Sequence, residues 1–159
     1  MRRIAWAAVL VILVLVSSGF AQIRYESPGG SGGTRGVTTL TEASATALFD
    51  VGVPSNGYTG MDLSITTFCS DGSDHVALHQ IYAISCINDA GSEACTASSP
   101  VGATAAVAIS FSAASLTFTY SGTNTATVLM TATCSAAQTI LQSRWEVRPN
   151  RTDVAVTPK

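Results

Sequence analysis

Charge is scarce in this sequence: Asp, Glu, Lys and Arg make up 11 % of its 159 residues, eight basic against ten acidic. No cluster of Lys and Arg follows Arg2 and Arg3. That argues against nucleic-acid binding, which rests on phosphate neutralisation, and it leaves no hold on an anionic membrane surface. Aromatic residues are also few, at 7 %, so a sugar-binding surface has little to stack with. No ten-residue stretch beyond the N-terminal segment shows helical periodicity. There is no Gly-x-Ser-x-Gly elbow, no His-Glu-x-x-His, and no phosphate-binding glycine loop that opens a helix. Cys-x-x-Cys spacing is missing too, so the four cysteines do not read as a zinc site.

What is present begins with an address. Arg2 and Arg3 precede the uncharged apolar run Ile4 to Val16, and the small residues Gly19 and Ala21 flank Phe20. This is the layout of a secretory signal peptide cut after Ala21, over residues 1–21. The apolar run has 13 residues, short of the roughly 20 that a spanning helix needs, so no stable membrane span is expected after cleavage. With Arg2 and Arg3 removed, six basic residues face ten acidic ones, a net charge of −4. All four cysteines fall in the exported part, and an even number there suggests two disulfides, with three pairings open. Cys86 and Cys95 are nine apart around a hairpin-like turn and pair first, leaving Cys69 with Cys134. The longer loop would contribute about 4 kcal/mol and the shorter about 2 to 3 kcal/mol by restricting the unfolded chain.

Residues 22–36 contain five glycines and a proline without apolar period, and read as a flexible Gly-rich linker. From Val37 the chain breaks into short alternating runs separated by turn residues. Ala47, Phe49, Val51 and Val53 share one face; so do Met61, Leu63, Ile65, Thr67 and Cys69. Asp71 to Asp74 turns the chain into Val76, Leu78, Gln80, Tyr82, Ile84 and Cys86, opposite a mixed face with His75, Ala77, His79 and Ile81. Thr96 to Thr104 reads as a loop. Ala105 to Phe111, Leu116 to Tyr120, Val128 to Cys134 and Leu141 to Val147 alternate again. About eight strands with frequent turns predict an all-β, antiparallel β-sandwich over 37–149, jelly-roll or immunoglobulin-like in order, with 150–159 as a C-terminal tail.

His75 and His79, with Asp71 and Asp74 just before them, come nearest to a site. On a strand, residues four apart share a face but stand about 13 Å apart, too far to bind one metal ion together. Asp71-Gly72-Ser73-Asp74 resembles part of a calcium loop but lacks the acidic ligand at its end, and turn chemistry accounts for it. Asp50, Asp62 and Glu146 are outward acids that nothing pairs in sequence, so a glycosidase pair is not indicated. Tyr25, Tyr58, Phe68 and Tyr120 are the rings left to meet a sugar. Asn150-Arg151-Thr152 fits a glycosylation sequon. No catalytic residue, cofactor or metal is assigned.

Three segments, Thr38 to Pro54 (TTLTEASATALFDVGVP), Ser70 to Gly91 (SDGSDHVALHQIYAISCINDAG) and Ala137 to Val147 (AQTILQSRWEV), carry a family likeness. In them the chain resembles small β-sandwich structural proteins of tailed bacteriophages and their bacterial relatives. That resemblance implies a virion or tail-associated structural module, with its oligomeric state open, and no enzyme. The signal peptide and four cysteines depart from it, since virion proteins assembled in the cytoplasm need neither. The reading is therefore an exported, non-enzymatic β-sandwich with a structural or binding role, secreted or periplasmic, its partner a protein, a glycan or a further copy of the chain. A virion structural protein is the alternative, and a carbohydrate-binding module or secreted hydrolase is a third class.

Overall fold

The computed structural model describes residues 32–120 and 124–159. The proposed signal peptide, residues 22–31 of the linker, and residues 121–123 lie outside the described residues. The described residues form ten strands and no helix: β1 (Thr34–Thr39), β2 (Thr46–Gly52), β3 (Gly57–Ser70), β4 (His75–Asp89), β5 (Ser92–Ala97), β6 (Val101–Val107), β7 (Phe111–Tyr120), β8 (Thr125–Cys134), β9 (Ile140–Pro149) and β10 (Ala155–Pro158). They make two antiparallel sheets stacked as a β-sandwich. The larger runs β1-β9-β3-β4-β5, with β6 also paired to β4, and the smaller runs β10-β2-β8-β7.

The long hairpin of β3 and β4 is the axis of the larger sheet, in register from Gly57 opposite Asn88 to Ser70 opposite His75. Its turn is closed by the Asp71 carboxylate, whose Oδ1 accepts hydrogen bonds from the amides of Ser73 (2.9 Å) and Asp74 (2.8 Å). The next turn places Ala90 and Gly91 both at positive φ, 51° and 94°, the backbone of a tight hairpin whose twist matches its strands. Asn88 buttresses it by accepting from the Gly91 amide.

Between the sheets, Phe49 on β2 meets Trp145 on β9, with ring centroids 4.8 Å apart and planes tilted by 40°. The Trp145 indole Nε1 donates to Thr38 Oγ1 on β1 (3.1 Å). Gly36 lies directly opposite Trp145 across the strand pair, where a Cβ would come within 2.3 Å of the indole ring. Leu48, Val51, Leu63, Ile65, Ile84, Val128, Met130 and Val147 complete a dry interior. Burying each such side chain contributes about 1.5 to 3 kcal/mol. Within it Thr67 Oγ1 and Ser143 Oγ share a hydrogen bond of 2.8 Å, so two buried hydroxyls satisfy one another.

Cys69 on β3 is bonded to Cys134 on β8, joining the two sheets. Cys86 is bonded to Cys95, its direct neighbour on the adjacent strand.

Several boundaries differ from the sequence expectation. Thr34 to Gly36, assigned to the linker, are paired with β9, because Trp145 needs the space that Gly36 leaves. The tail contains β10, which pairs with β2 and ends in an ion pair between Lys159 and Asp50 (2.5 Å). Of the loop read at Thr96 to Thr104, Thr96 and Ala97 belong to β5 and Val101 to Thr104 to β6. Ser112 to Ser115, which separate two of the runs read from the sequence, lie within β7. The alternation read from Ala105 to Phe111 is broken at Ala108, whose φ is 62°. In β2 a bulge between Ala47 and Phe49 turns Leu48 inward beside Phe49, in place of the inward Ala47 expected from strict alternation.

Two outcomes test this account. Thr67→Val leaves the Ser143 hydroxyl buried and unpaired, and is expected to cost about 1 to 3 kcal/mol in urea unfolding with both disulfides intact. Adding Ser143→Ala removes the orphan and should recover most of that loss. The amides that bind Asp71 hold its carboxyl below the usual carboxylate pKa. A lowered folded-state pKa favours the folded turn above the unfolded value, and that contribution is lost as pH falls through the folded one. The NMR signals of the Ser73 and Asp74 amides should therefore hold steady from neutral pH to about pH 4 and move together below it.

Candidate functional site

The two outer faces of the sandwich differ in chemistry. The smaller sheet shows solvent a hydroxyl-rich face: Ser115, Thr117 and Thr119 on β7 stand opposite Thr131, Leu129 and Thr127 on β8. The larger sheet turns outward the even-numbered residues of β3 and the odd-numbered residues of β4, because their neighbours fill the core. Eight large hydrophobic residues are exposed among the described residues, and seven of them stand on strands of this sheet at outward positions: Val37, Tyr58, Ile81, Ile87, Val101, Val107 and Ile140. Register brings several together. Tyr58 lies opposite Ile87, and Ile81 opposite Val101.

Several polar groups on this face are engaged by neighbours. The His75 Nδ1 and Ser70 Oγ share a hydrogen bond of 2.9 Å, and Phe68 stacks on the His75 ring with centroids 5.8 Å apart. The His79 Nδ1 does the same with Thr66 Oγ1 at 2.9 Å. Both histidines thus sit on β4 and lean on hydroxyls of β3. No group of three or more His, Cys, Asp or Glu that could hold a metal ion occurs among the described residues.

The three acids singled out from sequence do not converge. Asp50 lies on the smaller sheet, where Thr127 Oγ1 donates to it (2.6 Å) and Lys159 pairs with it. Burial alone would raise its pKa, but these two partners outweigh that and hold it below the usual value. Glu146 and Asp62 lie on the larger sheet. The hydrogen bond from Arg148 holds the Glu146 carboxyl below the usual carboxylate pKa, against the opposing effect of burial and with help from Arg35. A carboxylate so held is a poor proton donor at neutral pH. Asp62 stands opposite Arg148 on the neighbouring strand.

At one end of the face, Tyr58, Ile87, Ala94 and Asn150 border a hollow of about 500 Å³. The Arg151 guanidinium lies 5.5 Å from the Tyr58 ring centroid and donates to both carboxylate oxygens of Asp153. Asn150, the sequon residue, accepts hydrogen bonds through Oδ1 from the Gly60 amide and the Thr59 hydroxyl, tying the chain end back to β3. Sequence reasoning did not single out Glu93. Its two carboxylate oxygens are buried without a hydrogen-bond partner among the described residues, and burial pushes its pKa up. It sits inside the turn-rich stretch between Cys86 and Cys95, where polarity reads as exposure.

No family model matches the chain, and no curated protein matches it. Among solved structures, the crystal structure of the Acinetobacter baumannii phage AM24 tailspike protein is similar to it with a TM-score of 0.49 and 11 % sequence identity. The similarity covers 79 % of this chain and 28 % of that one, so the chain spans less than a third of the tailspike's length.

Proposed function

We propose that this chain is an exported, non-enzymatic β-sandwich that works by presenting a surface, in a structural or binding role at the cell surface or in the periplasm. The observation that carries the reading is the gathering of seven of the eight exposed large apolar side chains on strands of one sheet. Isolated surface hydrophobics are ordinary, whereas a grouped set on one face is the mark of a contact surface. The two disulfides are compatible with an extracellular location. The histidines and Glu146 on the same face are held by neighbours in ways that support scaffolding more than turnover.

A second reading, a virion or tail-associated structural protein, draws on the resemblance of Thr38 to Pro54, Ser70 to Gly91 and Ala137 to Val147 to phage structural proteins. It also assigns the chain a contact surface, and differs in where that surface is displayed. Adjacent capsid or tail genes would favour it over the cell-surface reading.

The test is retention of the protein on its native envelope fraction. Ile81→Ser and Ile87→Ser change outward side chains that are 48 % and 53 % exposed, so stability should move by no more than about 0.5 kcal/mol. Together they should release the protein from the fraction. Unchanged retention, or turnover on a panel of glycosides and esters that disappears with His79→Ala, would overturn the proposal.

A further inference from the structure

β6 stands apart from the rest of the apolar face. All seven residues from Val101 to Val107 are exposed, on both sides of the strand, whereas β5 keeps half-buried positions at every second residue. The two strands lie end to end along the same edge of β4. Ala97 pairs with Ile84 and Val101 with Ile81, so Ser98, Ser99 and Pro100 stand against Tyr82 and Ala83, a bulge of one extra residue. Beyond it β6 pairs with β4 and with no other strand among the described residues.

Its far side is therefore a sheet edge, a row of backbone donors and acceptors ready to pair with another strand. Proteins usually guard such edges with Lys, Pro or a covering loop. VGATAAV has no charged residue and no proline, and Val101 and Val107 are 75 % and 65 % exposed. The occupant is indicated by the order of side-chain sizes, which is nearly the same read in either direction. Around a two-fold axis through Thr104, antiparallel pairing sets Val101 against Val107 of the second strand, Gly102 against Ala106, Ala103 against Ala105, and Thr104 against its own copy. Every contact is matched in size and none repels by charge. Cross-strand pairs of β-branched residues and of threonines are among those that stabilise sheets.

We propose that β6 pairs antiparallel with β6 of a second copy of this chain, in the register centred on Thr104, so that two six-stranded sheets become one continuous sheet. Val101 and Val107 share the outer face with Ile81 and His75, so the junction covers the two most exposed valines. A seven-residue edge falls short of the about 1,600 Å² of a standard stable interface. The dimer is accordingly reversible and dissociates on dilution.

Sedimentation equilibrium on the chain expressed from its full sequence, from low micromolar to near-millimolar concentration, tests this. The wild type should shift from monomer to dimer across that range. Ala103→Lys with Ala105→Lys places like charges opposite one another twice in the proposed register, and should weaken the dimer about tenfold. Ala103→Lys with Ala105→Glu places opposite charges there and should keep it. Both positions are exposed, and an unchanged circular dichroism spectrum with no free thiols verifies folding of each variant. A wild type that stays monomeric throughout would overturn the proposal and give the edge to another occupant, either residues before Gly32 or a different protein. A dimer that ignores the paired lysines, or that both double variants weaken alike, would overturn it by placing the contact elsewhere.

Discussion

The packing of Trp145 against Phe49 sets the terms for most of the sandwich. The indole is too large to lie flat under a neighbouring strand that carries side chains, so β1 offers Gly36 directly opposite it and Thr38 to accept its N–H. That ties the N-terminal strand to the core. On the other side, the ring must be met from the smaller sheet, and the bulge in β2 delivers both Leu48 and Phe49 to the interior. β10 then covers the outer edge of β2. The ends of the described chain are thus drawn in by one large side chain near the centre.

The central strands were legible because contrast between large apolar and polar residues survives in them. Met61, Leu63, Ile65, Cys69, Val76, Tyr82, Ile84, Val128, Met130, Leu141, Trp145 and Val147 all read inward from parity, and all are buried. The peripheral strands were not legible for a shared reason. β1, the part of β6 before Ala105 and the first half of β7 are built mostly from Thr, Ser, Gly and Ala, whose small side chains give alternation little amplitude. What makes them strands is a neighbour's backbone, a tertiary fact. The strict period also misled at β2, since one inserted residue reverses parity without altering composition.

For the face proposed to make contacts, the sequence showed β4 as mixed on its outward side, and it is. Hidden from it was how four other strands add to that surface: Val37 beside Arg144, Tyr58 beside Ile87, Val101 beside Ile81, and Ile140 beside Ser70 come from distant parts of the chain. The histidines read as strand residues too far apart to share an ion, and they stand four residues apart on the outward side of β4 with Ala77 between them, each bound to a hydroxyl of β3.

The bond between Cys69 and Cys134 has a mechanical consequence. The two cysteines are 65 residues apart, and β4, β5, β6, β7 and the whole of β8 up to Cys134 lie between them. Tension applied at the ends of the chain passes from the end of β3 to the end of β8 through the sulfur bridge and bypasses those five strands. The bridge withholds about 220 Å of contour length from extension. Of its strands, a protein anchored at one end and loaded at the other would lengthen only through β1 to β3, β9 and β10, while β4 and β6, which bear four of the seven exposed apolar side chains of the larger sheet, stay slack.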